Sequence, residues 1–111
     1  THHASSAASD VYKRQVKVGS HPAYPDLVGF GRRPMKMKRE DIKNLVIYQT
    51  GALKAFLDEY DMPLNHIKPH GSLYGVSAIE DEVAHGIADA AEIFNVGVFG
   101  MVNNCHEKIY K

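Results

Sequence analysis

Three short β-prone runs separated by two long amphipathic stretches limit the fold of this chain more than any other feature of its sequence. The first run, Val16-Lys17-Val18-Gly19, stops in a Gly/Pro-rich loop from Ser20 to Pro34. From about Arg39 to Tyr60, Ile42, Leu45, Val46, Leu53, Phe56, Leu57 and Tyr60 recur at the 3/4 spacing of an amphipathic helix, which Asp61-Met62-Pro63 ends. Gly51 inside that helix costs on the order of 1 kcal/mol relative to Ala, so close packing against a strand is expected there. A second strand near 66–69 runs into the loop Pro69-His70-Gly71-Ser72. A helix near 79–94 follows, with Ile79, Val83, Ile87, Ala90 and Phe94 on one face. The third strand, near 96–100, is nearly all apolar or glycine, as a strand covered on both faces would be. Strand, helix, strand, helix, strand means parallel pairing with right-handed crossovers. Three such strands leave an edge bare and two helices cover little, so the expected class is α/β, parallel β/α units belonging to a larger barrel or sheet.

The ends do not share this pattern. Residues 1–9 are small and polar without a period, and residues 10–15, DVYKRQ, are also the translation of a sequencing-library transposon end. Residues 1–15 are therefore expected to be an unstructured or artefactual tail, with the domain running over 16–111. The closing run from Cys105 to Lys111 is helix-like and lacks a capping glycine, as if cut within an element.

Thirteen Lys and Arg balance thirteen Asp and Glu, which removes the electrostatic argument for nucleic acid or an anionic membrane as partner. No apolar run approaches the length of a membrane span and the start lacks the pattern of a secretory signal, so a cytoplasmic location is expected. A single cysteine excludes an internal disulfide and a thiolate zinc cluster built by this chain alone. Histidine is the informative residue, with seven copies.

In parallel α/β folds the loops after the strands build the site. The first loop, His21-Pro22-Ala23-Tyr24-Pro25-Asp26-Leu27-Val28-Gly29-Phe30-Gly31-Arg32-Arg33-Pro34, carries a strand-end His with an Asp five residues on. That pair suits acid–base work or metal ligation, or else His21 caps the strand and Asp26 is a turn residue. Gly29-Phe30-Gly31 followed by Arg32 and Arg33 could bring backbone N–H groups and guanidinium forks to a carboxylate or phosphate, unless the arginines are only solvated. The second loop, Lys68-Pro69-His70-Gly71-Ser72-Leu73-Tyr74-Gly75, joins a cation, a base and open backbone, with Lys68 and His70 on one face. Such a set suits polarising a carbonyl while moving a proton. Tyr74 either donates to an oxyanion or packs. His66, His85 and His106 are expected on the surface or in packing, and Met35-Lys36-Met37-Lys38-Arg39 as a solvated helix start.

The strings GSHPAYPDLVGFGRR (Gly19 to Arg33), YQTGAL (Tyr48 to Leu53) and KPHGSLYG (Lys68 to Gly75), in this order and spacing, closely resemble the LamB/YcsF family of 5-oxoprolinase A subunits. The resemblance runs from about Val16 to Gly100. The chain has Ala23 where the family usually has glycine and Gly75 where asparagine is usual. It lacks the family's opening DLGE-type and CGFHAGD-type segments and matches less than half of a family member. The resemblance implies part of a seven- or eight-stranded, TIM-like β/α barrel and ATP-dependent opening of the lactam ring of 5-oxoproline to glutamate, in a complex with subunits B and C. This chain has no G-x-x-x-x-G-K-[ST], so ATP would be handled by the partner subunits.

Under that implication His21 or His70 is the general base, Asp26 its orienter, and Lys68 with Arg32 the cations that hold developing charge. Arg33, Gly71 and Tyr74 are further candidates for substrate contact. Two other readings stand beside it. One is a metal-dependent, carbohydrate deacetylase-like barrel hydrolase with His21, Asp26 and His70 as ligands to a divalent ion. The other is an inactive, truncated module that only binds the partner subunits.

Overall fold

The computed structural model of the chain describes residues 17–100 and Ile109. The tail reading of residues 1–15, His106 and, Ile109 apart, the run from Cys105 to Lys111 lie outside the described residues. The elements follow in the order β1 (Val18–Ser20), α1 (Arg39–Glu59), β2 (Leu64–Ile67), α2 (Gly71–Ile79), α3 (Asp81–Phe94) and β3 (Gly97–Val98). The strands lie in the order β1-β2-β3, and both pairings are parallel, with Gly19 opposite His66 and His66 opposite Gly97. The parallel α/β class expected from the sequence is therefore present. Closure into a barrel is not seen in this three-stranded sheet.

Strand β1 stops at Ser20 and β2 at Ile67, each two residues before a proline. Pro22 and Pro69 have no N–H to continue a ladder, and both are fully buried. Strand β2 starts at Leu64, two residues earlier than expected, since Leu64 pairs with Val18.

Helix α1 opens with Glu40 and Asp41 in its first turn, where the helix dipole favours negative charge. It closes where Asp61 adopts φ 54° and Met62 N–H returns to the Leu57 carbonyl at 2.8 Å. It buries Ile42, Val46, Thr50 and Leu57. Helix α3 buries Val83, Ala84, Gly86, Ile87, Ala90 and Ala91, and Asn95 ends it in the left-handed region at φ 55°. The two helices meet closely at Gly86, where a Cβ would lie 2.8 Å from the Ile42 Cβ and from the Arg39 carbonyl oxygen. Arg39 forks onto Asp89 at 2.7 and 2.9 Å across the same seam. Ile42 and Val46 of α1 and Val83, Ile87, Ala90 and Ala91 of α3 form one core with Tyr24, Ile67 and Leu73. Ser20 Oγ and Thr50 Oγ1, 2.9 Å apart, tie β1 to α1 inside it. By strand alternation His66 lies on the opposite face of the sheet from Ile67, its ring over Gly19 and stacked on Phe99 with centroids 4.3 Å apart. His66 thus serves packing, as expected.

Three expectations need correction. The stretch after His70, read as a loop, forms helix α2 from Gly71 onward. Glu80, extended at φ −117° and ψ 113°, separates α2 from α3. Ile79 therefore belongs to α2 and is 77% exposed instead of joining the α3 face. Gly51 does not press on a strand either, because the nearest atom to its added Cβ is the Phe94 ring tip at 3.9 Å. Among the described residues no helix is long and apolar enough to cross a membrane.

Candidate active site

The two loops that leave β1 and β2 are fastened by their backbones. Lys68 N–H donates to the Ser20 carbonyl at 2.9 Å, His70 N–H to the Pro22 carbonyl at 2.8 Å, and Ser72 N–H to the Gly31 carbonyl at 2.9 Å. This continues the parallel register beyond the strands and brings His21 beside His70, 49 residues apart in sequence. Gln49 on α1 holds the first loop from below. Its Oε1 accepts from Ala23 N–H at 2.9 Å and its Nε2 donates to the Ala23 carbonyl at 2.7 Å. Gln49 lies in the YQTGAL string, to which the sequence reading gave no role. A side chain that satisfies a buried loop backbone leaves no spacing signal of its own.

The histidines form a chain of hydrogen bonds. His21 Nδ1–H donates to the Lys68 carbonyl at 2.6 Å, and His70 Nε2–H donates to the Phe30 carbonyl at 2.8 Å. Between them His21 Nε2 and His70 Nδ1 lie 3.0 Å apart, the rings nearly perpendicular. Phe30 presents its carbonyl from a left-handed backbone at φ 55°, uncommon for a bulky residue, and its ring meets the His70 ring edge-on. Both histidines line a largely apolar cleft of about 620 Å³ with Tyr24, Asp26, Tyr48 and Gln49, a size usual for small-molecule sites.

Asp26 does not orient His21. Its Oδ2 accepts from Arg33 Nε at 2.9 Å, and its Oδ1 accepts from Arg33 Nη2 and from Gly29 N–H. The Arg33 fork first, and the Gly29 N–H second, hold the Asp26 carboxyl down to about 2. Arg33 is correspondingly raised by its bond to Asp26, which takes its Nε and Nη2 and leaves Nη1 without a partner in that fork. The Gly29-Phe30-Gly31 backbone is also engaged, because these N–H groups go to Asp26 Oδ1, the Leu27 carbonyl and the Asp26 carbonyl. It is a self-bonded turn, not an anion cradle. His21, Asp26 and His70 do not converge as a ligand set, and among the described residues no group of three His, Cys, Asp or Glu could hold a metal ion.

Lys68 and Arg32 make no ion pair among the described residues. Arg32 lies over the Phe30 ring, 5.3 Å from its centroid, and Lys68 is exposed at the end of β2. Gly71 serves contact between the loops: at φ 57° an added Cβ would lie 2.5 Å from the Gly31 carbonyl oxygen. Tyr74 is half-buried in α2, and its carbonyl accepts from Ser77 Oγ at 2.7 Å. The lining of the cleft includes none of Lys68, Arg32, Gly71 and Tyr74.

A sequence model of the LamB/YcsF family matches residues 3–111, across both loops and the helices between and after them. The chain belongs to the LamB/YcsF family. Among its LamB/YcsF relatives, the 5-oxoprolinase A subunit of Heliobacterium modesticaldum is 48% identical over 77 residues, 69% of this chain and 30% of the relative. The 5-oxoprolinase A subunit of Thermus thermophilus is 49% identical over 83 residues, 75% of this chain and 33% of the relative. The crystal structure of a lactam utilization protein from Thermus thermophilus superposes with a TM-score of 0.85 at 40% identity, covering 95% of this chain and 44% of that one. The chain thus spans about a third of the length of these curated relatives. Ala23 meets Gly31 under the Gln49 clamp, and Gly75 is exposed on α2 with open space where a side chain would project.

Proposed function

We propose that this chain is the part of a 5-oxoprolinase A subunit that moves protons during hydrolysis of the lactam ring of 5-oxoproline to glutamate, in an ATP-dependent complex with subunits B and C. The observation that carries the reading is the family match across two loops whose histidines meet in one cleft. Relatives named as 5-oxoprolinase A subunits support the substrate, and the lactam utilization protein supports the class of bond. A cytoplasmic location belongs to the same reading.

The chemistry needs little more from these residues. Water adds to the ring carbonyl carbon, which becomes a carboxyl group, and the C–N bond breaks to leave the amine of glutamate. One proton must leave the water and one must reach the nitrogen, and the His21–His70 pair is built to carry both transfers. Lys68 and Arg32, free of ion pairs among the described residues but outside the cleft lining, are the candidate cations for negative charge developing on oxygen once substrate spans from the cleft to the loop ends. Asp26 and Arg33 act one step removed, by fixing the turn that carries Phe30. The described residues do not fit nucleotide phosphates, since the turn's N–H groups and the Arg33 fork are already engaged. In this reading ATP belongs to the partner subunits, and no step here is routed through it.

The test is a chimera in which residues 17–100 replace the matching segment of the Thermus thermophilus 5-oxoprolinase A subunit. It is measured with its B and C partners for glutamate release from 5-oxoproline. The chimera is expected to release glutamate, and His70→Ala in it to lower the rate at least about 100-fold, the low end for loss of a positioned acid or base. A folded chimera that releases none, beside an active parent, overturns the reading and favours a module that only binds its partners.

A further inference from the structure

The ring nitrogens of His21 and His70 can be assigned hydrogens by their partners alone. A carbonyl oxygen only accepts, so His21 Nδ1, 2.6 Å from the Lys68 oxygen, carries hydrogen, and so does His70 Nε2, 2.8 Å from the Phe30 oxygen. A neutral imidazole carries hydrogen on one nitrogen only. If both rings were neutral, His21 Nε2 and His70 Nδ1 would both be bare, and two lone pairs would face each other across 3.0 Å. If both rings were cations, two N–H donors and two positive charges would meet head to head. Only one proton between the two nitrogens gives a hydrogen bond at that distance.

We infer that His21 and His70 act as one acid–base group, a pair that holds a single shared proton between His21 Nε2 and His70 Nδ1. The inference deepens the proposed reaction and rests on it only for the substrate. For turnover the Nε2–Nδ1 contact opens to the substrate: its proton passes to the lactam nitrogen as the C–N bond breaks, and the freed imidazole nitrogen takes one from the attacking water. Water and lactam give carboxyl and amine, and the pair ends with the charge it began with. No carboxylate bonds either ring, because all four ring nitrogens are engaged by two carbonyls and by each other. The charged and titratable groups of the two loops and of the cleft wall are Tyr24, Asp26, Arg32 and Arg33 of the first loop, Lys68 after β2, and Tyr48 of α1. Asp26 is held by Arg33, Arg32 lies over the Phe30 ring, and Lys68 meets His21 through its backbone carbonyl.

Magic-angle-spinning NMR of the 111-residue chain labelled with 15N at histidine, in chelator-treated buffer, tests this whether the chain is monomeric or associated. The same spectra are recorded on the chimera. His21 Nδ1 and His70 Nε2 are expected to be fully protonated. His21 Nε2 and His70 Nδ1 are expected at shifts between the bare and protonated extremes, with a nitrogen–nitrogen coupling across the shared proton. In His70→Ala, and in His70→Gln as the variant closer in shape, the coupling disappears and His21 Nε2 moves to one extreme. Two bare facing nitrogens without coupling, or a bare nitrogen at either carbonyl, overturn the inference. The readout needs no turnover, so a silent chimera with a coupled pair would refute the reaction and leave the pair standing.

Discussion

Tyr24 is 3% exposed, and its hydroxyl has no hydrogen-bond partner among the described residues. Burial first, and the Glu80 charge second, push its phenol up. A buried polar group without a partner bears its desolvation cost uncompensated. Tyr24→Phe is therefore expected to leave stability to urea unchanged or raise it by about 1 kcal/mol, and a clear loss would reveal a partner for the hydroxyl. Asp26 gives a second measurement. Its carboxyl is held low in the fold, so its bonds to Arg33 and Gly29 stabilise above the unfolded value of about 4 and are lost as pH falls towards 2. Urea unfolding of the chain and of Asp26→Asn should differ above about pH 4 and converge as pH falls through that window. A difference that persists at the acid end would place the contribution elsewhere. The sequence offered Asp26 to His21 because they stand five residues apart. Arg33, seven residues on in the other direction, wins because a guanidinium fork grips both carboxylate oxygens. The His21–His70 contact left no such trace, since it depends on strand register.

Helices α1 and α3 were legible in the 3/4 spacing of their apolar residues, and the parallel pairing in the alternation of elements. Helix α2 was not, because Gly71 and Gly75 after Pro69 read as breakers, and the two glycines do different things. Gly71 lies at φ 57° against the Gly31 carbonyl, whereas Gly75 has nothing within 4 Å of an added Cβ. Gly71→Ala should cost more than about 1 kcal/mol, and Gly75→Ala should add about 0.5–1 kcal/mol by removing an exposed helical glycine. Denaturation midpoints moving the same way in both variants would contradict this assignment. Gly51 misled in the opposite sense, since its position suggested a close approach that occurs instead at Gly86.

Across the whole molecule, large apolar side chains remain in solvent, among them Leu27 at 98% and Val28 at 93% exposure, with Tyr48, Phe56 and Ile79. Surface of this kind drives association. The isolated chain is expected to scatter light as species larger than a monomer and to unfold at low urea, and a monodisperse monomer with one sharp transition would contradict this. The bare sheet edge and the sparse helix cover already pointed in the sequence to a larger barrel or sheet, whereas a seven- or eight-stranded barrel is what the resemblance implies, because three strands do not specify closure. The fastening between the two loops has one more consequence. It is made of main-chain groups at Ser20, Pro22, Gly31, Lys68, His70 and Ser72, so it does not depend on what most of those side chains are. Side-chain substitution at most of these positions leaves the bonds in place, so the distance between the two imidazoles is set by the main chain rather than by the side chains around it.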